Sequence, residues 1–217
     1  MDDSARKMDS RVEETIESLK LNGFDVWFAN DHIEAERVFW EEIFNRINPD
    51  TVSWGDSMTL HSLGIIAKLS QLEGTLLIET FGEHLSWREQ IYNRKKALTC
   101  HMFLTGTNAV TVKGQLVNLD MIGNRVAGIA FGPKNVVIFV GVNKIVGSID
   151  EAMNRIKSIA APMNAKRHID LKTPCQITGR CIDCCSPQRI CNTWMITEKS
   201  YPVGRIKIIL INESLGY

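Results

Sequence analysis

The stretch NVVIFVG, residues 135–141, decides the fold. It is an unbroken apolar run of strand length, which is what a strand covered on both faces requires, as strands in parallel sheets are. Outward from it, the chain alternates. HMFLTG (101–106), TLLIE (75–79), TVSWG (51–55) and FDVWFA (24–29) read as strands upstream, and RIKIILIN (205–212) reads as the last strand downstream. Helical spacing of apolar residues predicts helices over 4–21, 31–47, 84–98 and 148–160, and DSMTLHSLGIIAKL reads as another directly after Gly55. Residues 107–133 are rich in Gly and Asn and read as two short paired strands around Lys113-Gly114, followed by turns. Strands alternating with helices predict an α/β fold, a mostly parallel sheet with helices on both faces. Val52, Leu77, Phe103, Val137, Ile138, Phe139, Ile208 and Ile209 are its expected core.

Composition narrows the function. With 25 basic and 25 acidic residues the formal net charge is zero, so the chain lacks the field that nucleic-acid binding rests on. The charge is nevertheless graded. Residues 1–50 carry 13 acids against 6 bases, and residues 151–217 carry 5 against 10, which reads either as complementary surfaces or chance, or as a basic C-terminal rim facing an anionic ligand or partner. No run of about 18 apolar residues is present, so no membrane-spanning helix is expected. The acidic, amphipathic start does not read as a signal peptide, and a cytoplasmic location is the expectation.

Five of the six cysteines fall within residues 175–191. In a reducing compartment such clustering points to metal or redox chemistry before disulfides. Cys175, Cys181, Cys184 and Cys191 are the expected ligands, because adjacent residues such as Cys184 and Cys185 diverge; Cys185 is spare. Four thiolates suit an iron–sulfur cluster, with the 4Fe–4S type favoured, or zinc. The spacing is neither a zinc ribbon nor the bacterial ferredoxin run.

Two sets of turns carry the remaining chemistry. VSWGDSMTLHSLG (52–64) takes a strand through Gly55 into a helix that Asp56 or Ser57 would cap, a turn suited to anions. Gly106-Thr107-Asn108, Asn118-Leu119-Asp120 and Gly123-Asn124-Arg125 follow between apolar strands. The ends of parallel strands gather on one edge of the sheet. Gly55, Asp56, Ser57, Gly106, Thr107, Asn108, Asp120, Gly123, Asn124 and Arg125 are therefore expected in one pocket, with Arg125 as a bidentate clamp on a carboxylate or phosphate.

LTGTNAVTVKGQLVNLDMIGNRVAGIAFGPKNVVIFVGVNKIV (104–146) and DEAMNRIKSIAAPMNAKRH (150–168) resemble the LUD, or lactate utilisation, domain family, and VSWGDSMTLHSLG is similar to that family's upstream motif. The cysteine-rich tail resembles that of a short subgroup. The resemblance implies an α/β domain over 1–168, with residues 169–217 forming the cysteine segment and a final strand packed on the same domain. It also implies similarity to the ribose-phosphate isomerase and CoA transferase folds. The function it implies is redox-linked organic-acid metabolism, by an oxidoreductase or a subunit of one. Its expected partners are a small anionic metabolite and a redox partner protein, and a homo-oligomer is compatible with it. The alternative reading is a binding or transferase-like protein for a small anionic metabolite, with a structural zinc.

Overall fold

The structure, a computed structural model, describes residues 9–217; the expected helical start over 4–8 lies outside them. Six parallel strands form the main sheet: β1 (Asp25–Ala29), β2 (Thr51–Trp54), β3 (Leu76–Ile78), β4 (Met102–Gly106), β7 (Asn135–Gly141) and β10 (Ile206–Ile211), in the order β1-β10-β7-β4-β2-β3. A second sheet of four strands has the order β8-β5-β6-β9, from β5 (Ala109–Thr111), β6 (Leu116–Asp120), β8 (Ile145–Val146) and β9 (Thr193–Thr197).

The apolar run of β7 is explained by its two faces. Val137 and Phe139 point into one core with Leu104, Ile209 and Ile211, while Val136, Ile138 and Val140 point into another with Phe103, Ile208 and Leu210. The first core is closed by α2 (His32–Val38), which continues through a π-helical turn at Phe39–Phe44, and by α4 (Met58–Ser62) and α5 (Ile65–Leu69). The second is closed by α1 (Ser10–Leu21), by Ile129 and by Val110 and Leu116 of the small sheet. Of the expected core residues all are buried except Leu77, which lies half-buried on the edge strand β3.

Helix starts follow local chemistry. Asp9, Asp31, Ser57, Ser86 and Ser148 each accept a hydrogen bond from the first turn they precede, and Ser86 and Glu89 form a reciprocal capping box. The remaining helices are α3 (Asn45–Ile47), α6 (Trp87–Lys96), α7 (Asn124–Phe131), α8 (Ile149–Arg155), α9 (Ala161–Arg167) and α10 (Pro174–Thr178).

Two expectations are corrected. The helix after Gly55 is broken into α4 and α5 at Gly64, whose φ of 67° interrupts the right-handed spiral. Residues 124–131, read as turns, form α7. Gly128 is there because Phe103 packs against it: a Cβ would lie 2.6 Å from the Phe103 ring. The segment after residue 168 packs on the same sheets: β10 pairs between β1 and β7, and β9 pairs with β6. Among the described residues no helix is long and apolar enough to cross a membrane.

Candidate functional site

The site lies beyond the carboxyl ends of β2, β4 and β7, where open parallel sheets present the residues that follow each strand. Gly55 N donates to Leu104 O at 2.9 Å, which carries the β2–β4 ladder one residue further before the chain turns. Side chains crowd both glycines. A Cβ on Gly55 would lie 3.0 Å from Arg125 Cγ and Thr105 Oγ1, and one on Gly106 would run into Ser57 Oγ. Here the glycines make room for protein side chains.

Arg125 is the centre of what they make room for. It is 7% exposed, and its five N–H groups meet five acceptors. Nε reaches Asp120 Oδ1 at 3.4 Å. Nη1 reaches Asn118 Oδ1 at 3.0 Å and Gly106 O at 3.3 Å, and Nη2 reaches Asn108 Oδ1 at 2.7 Å and Leu119 O at 3.1 Å. Asp120 also accepts from Arg125 N, and Asn108 from Leu119 N. The expected clamp is therefore corrected: Arg125 has no N–H left for a ligand, and it knits the ends of β4 and β6 to α7. Asn118 Nδ2 is buried without a partner among the described residues.

Above this web is a cleft of about 470 Å³. Of the ten residues expected to share a pocket, Asp56, Ser57, Gly106, Thr107, Asn108, Asp120, Asn124 and Arg125 line it, while Gly55 and Gly123 stand outside its lining. The anion-binding helix start expected after Gly55 does not form as such. The helix α4 is a single short turn, Ser57 Oγ already accepts from Leu60 N, and Asp56 places a carboxylate there. Asp56 accepts from His61 Nε2 at 2.9 Å and from Arg167 Nη1 at 3.0 Å. Burial pushes its carboxyl up, but the hydrogen bonds from His61 and Arg167 outweigh that and hold it well below the usual carboxylate range.

The sequence did not single out the cations of the cleft. Arg94 on α6 is 9% exposed and lies 4.4 Å over the Phe81 ring and 5.2 Å from that of Trp87. Its hydrogen bonds go to Thr80 O and Gln90 Oε1, both neutral, and among the described residues no carboxylate pairs with it. Burial lowers its pKa; Asp56 and Asp120 act the other way through space. Lys144, three residues past β7, is 4% exposed and also lines the cleft. Its Nζ donates to Thr59 Oγ1 at 2.8 Å and Thr107 O at 3.3 Å. Burial, with Arg155 and Arg125 nearby, brings its pKa down to about 7. Placement after the central strand could have marked Lys144. Nothing in WREQIYNRKK distinguishes Arg94 from the surface cations beside it.

Cys175, Cys181, Cys184 and Cys191 line a second, small cavity of about 20 Å³, together with Ile182, Arg189 and Ile190, while Cys185 is exposed. Cys191, Ile190 and Ala161 line both this cavity and the large cleft. All six cysteines are free thiols. Among the described residues no three metal-ligating side chains are arranged to hold an ion, so the thiols share a cavity without closing into a cage. Arg189 shapes the segment, donating to Cys184 O at 2.7 Å, Cys191 O at 2.9 Å and Asp183 Oδ1 at 2.8 Å. Burial pushes the Cys191 thiol up, against Arg189 and Lys157. Cys100 lies apart, buried beside β4, its thiol pushed up to about 12 by desolvation.

A DUF162 family protein from Deinococcus radiodurans, known from a crystal structure, superposes on the chain with a TM-score of 0.52 at 12% identity, covering 94% of this chain and 96% of that one. At this identity the likeness speaks for the α/β fold alone. No curated protein sequence matches the chain. The LUD domain family matches it over residues 12–211, which takes in both sheets, the cysteine segment and the lining of the cleft except Tyr217. The chain belongs to the LUD domain family, the lactate-utilisation type.

Proposed function

We propose that the cleft binds a small carboxylate-bearing metabolite and that the protein acts in its redox metabolism, with a thiol-held iron–sulfur cluster or zinc beside the bound acid. The observation that carries this reading is the shared wall: Cys191, Ile190 and Ala161 face both the cleft and the four-cysteine cavity. A centre held by Cys175, Cys181, Cys184 and Cys191 would adjoin whatever the cleft holds. Arg94 supports an anionic occupant, since a buried guanidinium that meets only a carbonyl, an amide and aromatic faces gains most from a carboxylate. Asp56 and Asp120 face their own arginines.

The donor set fits a soft metal: four thiols around one small cavity is a zinc or iron–sulfur set. When bound, a cluster would supply one-electron transfer, and zinc would pin the segment. Around it, Arg189 holds the loop, Ile190 covers the cavity from water, and Arg94 orients the acid.

The test is purification without air, followed by metal and sulfide analysis. Wild-type protein is expected to carry iron and sulfide, with broad visible absorbance that Cys184→Ser removes and Cys185→Ser leaves. Stoichiometric zinc without colour would replace the redox reading by the structural one. Metal-free protein in every preparation would remove both.

A further inference from the structure

Lys144 has no part in the reading above, and its surroundings are unusual for a lysine. It is 4% exposed, lies at the mouth of the central strand and lines the cleft. Thr59 Oγ1 spends its own proton on Leu215 O at 3.0 Å, so towards Lys144 it acts as an acceptor. A neutral amine has two N–H bonds and one lone pair. Thr59 Oγ1 and Thr107 O take the two N–H bonds, which leaves the lone pair uncommitted. An ammonium would bring a third N–H, for which the described residues record no acceptor. No carboxylate among them pairs with Lys144, and the charged groups nearest it in effect, Arg155 and Arg125, are both cations. A lysine kept for stability would be expected to pair with an acid; this one is held as a nucleophile would be.

We infer that Lys144 is a nucleophile for carbonyl compounds, and that the cleft takes small oxo acids, with the carbonyl carbon at Lys144 Nζ. This rests on the reading of the cleft as a carboxylate site. The step balances without any oxidant. The nitrogen lone pair adds to the carbonyl carbon, and the C=O π pair moves onto oxygen. An amine proton passes to that oxygen to give a carbinolamine, and loss of water forms the imine. Water reverses the sequence. Because burial and the two arginines bring the amine down to about 7, it is largely neutral above neutral pH, where an exposed lysine stays protonated until about 10.4.

The experiment uses the full-length protein with pyruvate and sodium borohydride, which fixes an imine as a stable secondary amine. Digestion and mass spectrometry then locate the label, so no variant has to fold. One label per chain is expected, on Lys144, absent without pyruvate and suppressed by excess propionate, an acid of the same size with no keto group. Labelling should rise through about pH 7 and level off. Label scattered over exposed lysines with Lys144 unmodified would overturn the inference. Calorimetry with propionate separates the two failures. If propionate binds and Lys144 stays unlabelled, the nucleophile is wrong and the carboxylate cleft survives. If neither acid binds and Lys144 stays unlabelled, both are wrong.

Discussion

Two arginines organise two polar regions that share a wall, and they do so under different conditions. Arg125 and Arg189 each draw backbone carbonyls and an aspartate into one cluster. Around Arg125 almost no water reaches the bonds, and both it and its Asp120 partner are nearly covered, at 9% and 12% side-chain exposure. Around Arg189 the loop is open. Asp183 is 75% exposed, and Ile177 and Ile182 stand out at 91% and 56%. The first region is a fixed wall whose geometry the fold dictates. The second is held by a few water-accessible bonds, so its shape rests on far less than that of the first.

The comparison breaks first at Arg125. Arg125→Met should strand Asp120, Asn108 and Asn118 as buried polar groups, at a cost of about 3–5 kcal/mol. Denaturant unfolding with an unchanged slope would show this as a lower midpoint. A loss under about 1 kcal/mol would mean the web is not the wall described. Arg189→Ala sharpens the other half. It should cost only about 1–2 kcal/mol, because its bonds compete with water. It should also speed alkylation of Cys184 and Cys191 by a thiol reagent as the loop opens; unchanged alkylation would mean that something else holds the segment.

How far the sequence revealed this depends on what each residue does. An unbroken apolar run announced β7, and a run broken only by Lys207 announced β10, because a strand covered twice has little polar side to disguise it. The helix α7 was hidden because Gly128, which reads as a turn, serves the close approach of Phe103. The strand β9 was hidden because TWMIT has little full burial to set its pattern. The strand ends place Gly55 and Gly106 beside Arg125 and Ser57. Whether an arginine is free or spent depends on acceptors far apart in sequence, such as Asn108 and Asn118, so the role of Arg125 could not be read from the turn itself. Arg94 is the converse case, a buried cation inside a run of surface charges. The cysteine spacing picked the four that line one cavity, but not Arg189, whose part comes from carbonyls that the sequence does not display.

The central claim, that the cleft receives a small carboxylate, turns on Arg94. Calorimetric titration of wild-type protein and Arg94→Met with short-chain monocarboxylates tests it most directly, since methionine keeps the bulk over Phe81 and Trp87 and removes the charge. Saturable binding at one site per chain is predicted for the wild type, weakened roughly tenfold or more in the variant, or about 1.4 kcal/mol. Absence of saturable binding in the wild type, or equal affinity in both proteins, would contradict it.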